Sequence, residues 1–184
     1  MRTLLLCGYR SGVGLERRTD GKLIVDQRIS ELQKLGCEVI CVLAGGDADE
    51  ILRSSRKLMD TELVFDTNGD AATLITNLKA GLASTDGESC FAIPLEVAPP
   101  SAELWHTLHS HLRNQGFHTP VCVLQAVETQ GAPWHYGFPL LFTRSGNTLL
   151  REVTGFTSLV DTRLKYQHVV FSTEANLAPD AFPL

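Results

Sequence analysis

The chain has 184 residues, 43% hydrophobic and 20% charged, with 16 Lys and Arg against 21 Asp and Glu for a formal charge of −5. That length and composition suit one folded domain spanning 1–184, with a core built without disulfides or metal. The acidic balance argues against a general nucleic-acid or anionic-membrane binder. No apolar run approaches the ~18–20 residues of a bilayer span, and the N-terminal apolar run is too short for a secretory signal. The five cysteines (7, 37, 41, 90 and 122) are odd in number and form no Cys-x-x-Cys pair. They read as reduced, mostly buried thiols, and the expected location is cytoplasmic.

Taken in order, Thr3–Cys7 reads as a buried strand and Val25–Leu35 as a helix with Ile29 and Leu32 on its apolar face, closed by Gly36. Glu38–Leu43 is a second strand. After it, Asp47-x-x-Glu50 has the form of a helix-opening capping box. Glu62–Phe65 is a third strand, and Asp70–Ala83 a helix with Leu74, Ile75, Leu78 and Leu82 facing the core. Cys90–Pro94 is a fourth strand, and Ser101 opens a helix running to about Gln115. Pro120–Leu124, Phe138–Phe142 and Val169–Phe171 read as further strands, before a tail ending in Phe182 and Leu184 whose docking surface stays open. Alternating strands and helices with continuous apolar strands predict an α/β fold, a mostly parallel mixed sheet with helices on both faces. In such sheets ligands bind at the C-terminal ends of the strands.

The first of those ends carries glycines at Gly8, Gly12 and Gly14. A phosphate-binding P-loop needs Gly-Lys-Ser/Thr at its close, and none follows. The Gly-x-x-x-Gly-x-Gly spacing also occurs in short-chain dehydrogenases. Here, however, "LERRTDGK" delays the helix, and no tyrosine is followed four residues later by lysine, which disfavours an NAD(P)-dependent reductase.

The stretch "LLCGYRSGVGLER" resembles the signature of the molybdenum-cofactor guanylyl- and cytidylyltransferases, roughly Leu-Ala-Gly-Gly-x-Ser-x-Arg-Met-Gly-x-x-Lys. Gly8 and Gly14 stand at its glycines, Arg10 at the serine, Gly12 at the arginine and Arg17 at the lysine. Later segments follow in the same order. "NGDAATLITNLKAGLAS" places Asn77 at the serine of a Ser-Leu-x-x-Gly-Leu helix, "FAIPLEVAPP" places Glu96 at a strand-ending aspartate, and "YGFPLLF" keeps Gly137, Pro139 and Phe142.

The resemblance implies a three-layer α/β/α sandwich of the nucleotide-diphospho-sugar-transferase, Rossmann-like kind. It further implies Mg²⁺-dependent transfer of a nucleotidyl group from CTP or GTP to a phosphorylated acceptor, such as a molybdopterin. Negative charge gathers at phosphorus in that reaction, so a site needs donors, cations and a hard metal ion. Nucleotide contacts would come from Cys7, Gly8, Arg10, Ser11, Gly14, Asn68, Gly69 and Asn77. Arg17 and Glu96 would be catalytic, with Glu96 holding the metal. The departures are a glycine for an arginine at 12, arginine for lysine at 17, glutamate for aspartate at 96, and Ser172 at a second metal position.

Simpler readings stand beside these. The glycine loop could be a plain turn, Arg10, Arg17 and Arg18 solvated charges, Glu96 an exposed carboxylate and Asn77 a surface or capping amide. His106, His109 and His111 do not share a helix face and read as solvated. Trp134, His135 and Tyr136 suit a pocket or a packed loop equally. The rival function is a catalytically degenerate nucleotide-binding or interaction protein on the same fold.

Overall fold

β1 (Arg2–Leu6) is buried from Thr3 to Leu6 because it lies inside the sheet, with β2 (Glu38–Leu43) on one side and β4 (Cys90–Pro94) on the other. The computed structural model describes residues 1–8, 12–103, 105–106 and 109–110 with side chains, and the strand backbones Val121–Ala126, His135–Phe142 and Val169–Phe171. Among the described residues the sheet has seven strands in the order β3-β2-β1-β4-β6-β5-β7, where β3 is Glu62–Phe65, β4 Cys90–Pro94, β5 Val121–Ala126, β6 His135–Phe142 and β7 Val169–Phe171. β3, β2, β1 and β4 are parallel, with Leu4 opposite Ile40 and Ala92. β6 pairs antiparallel with both β4 and β5, and β7 returns parallel to β5. Of the seven strands β6 alone runs against the rest, which makes the sheet mixed and mostly parallel, as expected.

Helix α1 (Ile24–Lys34) buries Val25, Ile29 and Leu32. It ends where the Cys37 N–H reaches the Leu32 carbonyl and the Gly36 N–H that of Gln33, with Gly36 at φ 77°. This double closure needs a left-handed residue, and glycine takes that conformation without cost from a Cβ. Right-handed crossovers place α1 and α2 (Ala48–Ser54) on one face of the sheet and α3 (Leu74–Ser84) on the other. α3 can approach closely because a Cβ at Gly81 would come within 2.8 Å of Val42 and 2.9 Å of Leu4.

One expected capping bond and one expected helix start differ from the structure. Asp47 precedes α2 but makes no side-chain cap bond there. The expected Asp70–Ala83 helix divides into a 3-10 turn, Gly69–Ala71, and then α3, capped by Thr73 in a reciprocal box with Thr76. In both cases the aspartate has been drawn off to a neighbouring loop: Asp47 accepts from the Gly12 N–H, and Asp70 from the Gly46 N–H at 2.8 Å. Sequence spacing sees only the local competitor for a carboxylate, and here a long-range donor wins.

The expected helix after Ser101 is present at residues 102–103, 105–106 and 109–110; its other residues lie outside those described. Trp105 is buried and its ring lies 4.5 Å from that of Phe91 on β4. Cys7, Cys37, Cys41 and Cys90 are buried free thiols, as the sequence suggested. No described helix is long and apolar enough to cross a membrane. Trp134, Ser172, Phe182 and Leu184 lie outside the described residues, as do the side chains of Cys122, His135 and Tyr136.

Candidate functional site at the C-terminal edge of the sheet

β1 connects leftward to β2 and β3, whereas β4 enters on its right, so the chain reverses direction between β1 and β4. Loops leaving the two strands part there and leave a crevice, the usual ligand position in an open α/β sheet. Cys7 and Gly8 leave β1 at this point, and Leu95 and Glu96 leave β4. Backbone bonds fix the crevice on both sides: the Cys7 N–H donates to Val42 at 2.8 Å, and the Leu95 N–H to Leu6 at 3.0 Å.

The side chain of Cys7 belongs to the core rather than the crevice. Its thiol is fully buried and donates to the Leu5 carbonyl at 3.5 Å. Its ionisation is pushed well upward, first by the Cys41 hydrogen bond and burial, then by the nearby charge of Glu96. Cys7 can therefore serve a nucleotide only through its main chain. Glu96 sits half-buried on the turn after β4, close enough for its charge to be felt at Cys7. That turn is held from α1: buried Arg28 donates through Nε to the Leu95 carbonyl at 3.2 Å and through Nη1 to Glu31 at 2.6 Å.

The glycines of the first loop have different reasons for being glycine. Gly8 combines φ 90° with a Cβ position only 2.3 Å from the Ala44 carbonyl oxygen. Gly14 is buried, and a Cβ there would lie 2.4 Å from Ile51 Cδ1. Gly12, at φ 82°, has nothing within 4 Å of its Cβ position. Packing against the β2 loop and α2 thus accounts for Gly8 and Gly14, while Gly12 needs only its left-handed backbone. Arg17 is exposed and its Nη1 donates to the Gly21 carbonyl at 2.7 Å, inside a small hairpin closed by an Arg17–Leu23 bridge. Arg10 and Ser11 lie outside the described residues.

At the end of β3, Asp66 is buried and accepts from the Asn68 N–H at 2.9 Å, Asn68 Nδ2 at 2.6 Å and Asn77 Nδ2 at 3.1 Å. Asn77 is completely buried, which corrects the surface-amide reading, and its Oδ1 has no partner among the described residues. Gly69 follows at φ 56° with open space at its Cβ. Asn68, Gly69 and Asn77 are therefore brought together, by a carboxylate the sequence reading passed over. Burial opposes ionisation of Asp66, but the hydrogen bonds from Asn68, Thr76 and Asn77 outweigh it and hold the carboxyl below its ordinary range.

A folded-state value below the unfolded one adds stability above the ordinary carboxylate range, and this is lost as pH falls through the folded value. Asp66→Asn, which turns one acceptor into a donor facing donors, should lower stability at neutral pH by about 1–3 kcal/mol. In urea unfolding the gap from the parent protein should narrow as pH falls below the ordinary carboxylate range and the parent carboxyl also becomes protonated.

Among the described residues no group of three or more His, Cys, Asp or Glu side chains could hold a metal by itself. His106 is exposed, in line with a solvated face. Magnesium, however, commonly takes only one or two protein carboxylates and completes its shell with phosphate oxygens and water. Glu96 fits that arrangement, so the donor set suits a metal that arrives with a phosphate ligand rather than a closed protein cage.

With α1 and α2 on one face of the sheet and α3 on the other, the fold is an α/β/α sandwich, and its solved neighbours have nucleotide-diphospho-sugar-transferase-like folds. No protein-family model and no curated protein matches the sequence. Solved structures do share the fold. Rv0371c from Mycobacterium tuberculosis H37Rv, in complex with manganese, superposes with a TM-score of 0.68 at 16% identity, over 94% of this chain and 87% of its own. The 4-diphosphocytidyl-2C-methyl-D-erythritol synthase of Anaerococcus prevotii gives 0.68 at 12% identity, covering 93% and 86%. A CMP:2-keto-3-deoxy-manno-octonic acid synthetase complexed with CTP gives 0.68 at 10% identity, covering 94% and 89%.

Proposed function

We propose that this protein is a nucleotidyltransferase that moves a nucleotidyl group from CTP or GTP to a phosphorylated acceptor, a molybdopterin-type compound being the acceptor class the sequence suggests. The carrying observation is the placement of Glu96 on the β4 turn, where Pro94 pairs with Leu6 and the Leu95 N–H bonds to the Leu6 carbonyl just before the Cys7–Gly8 exit of β1, at the point where the sheet reverses direction. The shared fold with a synthetase complexed with CTP and with a 4-diphosphocytidyl-2C-methyl-D-erythritol synthase supports it. The structure bound to manganese supports a divalent ion.

In this reading the main chain at Cys7, Gly8 and Gly14 and the Arg10–Ser11 segment border the phosphates. Asn68 and Gly69 border the nucleoside, with buried Asn77 holding Asn68 in place through Asp66, and Arg17 reaches the triphosphate after leaving the Gly21 carbonyl. Glu96 would hold Mg²⁺, which when bound with the nucleotide offsets phosphate charge. The protein's own part is to orient the acceptor phosphate and keep donors aimed at the charge that grows on phosphorus.

The second reading, a protein that binds nucleotide without turning it over, draws on a specific fact. Gly8 and Gly14 are fully accounted for by packing, so these glycines alone do not require a ligand. A thermal-shift screen with CTP, GTP, ATP, UTP and NAD(P)H, with and without Mg²⁺, followed by pyrophosphate release, tests both. A Mg²⁺-dependent shift of a few degrees with CTP or GTP, accompanied by turnover, is expected. A metal-independent shift without turnover establishes the binding protein, and no shift with any nucleotide removes both readings.

A further inference from the structure

We propose that Asp47 is a latch on the glycine loop: its carboxylate occupies the backbone donor of Gly12, and a phosphate must displace it to bind there. The proposal rests on the nucleotide reading of the crevice and adds a means of regulating it. The hydrogen bond links residues 35 apart in sequence, from the Gly12 N–H after β1 to Asp47 Oδ2 after β2. Gly12 is exposed and left-handed, with open space where a Cβ would be, so its glycine serves the backbone direction and hence the N–H that Asp47 receives.

Asp47 occupies the position before α2, where an aspartate ordinarily turns its oxygen onto its own helix. It makes no such cap bond. The same arrangement recurs one loop further on, where Asp70 from the β3 loop accepts from the Gly46 N–H at 2.8 Å. Gly45, between the two, sits with its Cβ position 3.2 Å from the Gly8 carbonyl oxygen and 3.7 Å from Asp70 Oδ1. The loops after β1, β2 and β3 are thus joined in series by a carboxylate on a glycine amide.

A carboxylate and a phosphate compete for one donor in the same way, as anions that accept charge-assisted hydrogen bonds. An incoming triphosphate meets a donor already satisfied and a negative charge beside it. Asp47 therefore weakens binding of bare phosphate compounds.

The test uses inorganic pyrophosphate, the leaving group of the proposed reaction, titrated calorimetrically into the full chain without divalent metal. Asp47→Asn should bind it roughly three- to tenfold more tightly than the parent, the range expected for one exposed charge-assisted contact. Asp47→Ser, a good helix-preceding residue, should do the same and guards against a folding defect in the first variant. Asp49→Asn removes an equal charge from the same helix start, where Asp49 faces Arg53 instead of the loop; it should bind like the parent. Equal affinity in the parent and both Asp47 variants overturns the latch while leaving the nucleotide reading intact. An equal gain in Asp49→Asn overturns it too, since general repulsion then accounts for the effect. Failure of every variant to bind pyrophosphate or CTP, with or without Mg²⁺, overturns the nucleotide reading and the latch with it.

Discussion

Glu96→Ala is expected to reduce nucleotidyl transfer at least about 100-fold while leaving the melting temperature within a few degrees of the parent. The side chain is half-buried on a turn whose backbone is held by other groups: Leu95 N–H on Leu6, Val97 N–H on Pro94 at 3.1 Å, and Arg28 on the Leu95 carbonyl. Removing the carboxylate therefore leaves the turn in place and removes the oxygen that would hold the metal. The conservative Glu96→Asp separates two causes of the loss. If reach matters, the one-methylene change moves the oxygen by about a bond length, and misplacement of ~1 Å alone can cost ~100-fold. Nucleotide affinity measured without metal should be nearly unchanged in both variants. Retained turnover in Glu96→Ala would remove this residue from the chemistry.

Gly8→Ala is expected to be the most destabilising single-methyl change in the first loop, by about 3–5 kcal/mol in urea unfolding. The left-handed backbone alone costs an L-residue about 1–2 kcal/mol. The added methyl also meets the Ala44 carbonyl oxygen at 2.3 Å, and a carbonyl in the β2 loop cannot swing aside as a side-chain end can. Gly12→Ala isolates the first effect, since its φ is similar and its space is open. It should therefore cost only about 1–2 kcal/mol. Equal losses at the two positions would mean that the β1 and β2 loops are not pressed together as the structure has them.

Much of the fold was legible because strands and helices here report their own environment. β2, β3, β4 and β7 have the bounds expected from apolar runs, and the core side of α3 follows from the spacing of Leu74, Ile75, Leu78 and Leu82. The capping bond expected at Asp47 and the helix start expected at Asp70 were misread because each carboxylate had two possible partners. The candidate site was legible in location more than in wiring. Asp66 follows an apolar strand and precedes Asn-Gly, a signal that could have marked it, yet its link to Asn77 spans 11 residues and exists only after α3 packs. Arg28 offered a different clue, a charge within the stripe Ile24, Val25, Ile29 and Leu32. Its partner, 67 residues away on the β4 turn, is beyond periodicity.

That partner gives α1 a second character. Asp26, the third residue of the same helix, accepts from the Lys57 N–H at 3.1 Å and from Ser55 Oγ in the segment leading to β3, while Arg28 grips the turn leaving β4. The two grips are separated by about 3 Å of helical rise. The helix therefore acts as a gauge block between an outer loop and the floor of the crevice. A tilt of α1 large enough to shift one would shift the other in step. The width of the crevice is consequently set by the seating of a helix on the sheet, well away from any atom that a substrate would touch.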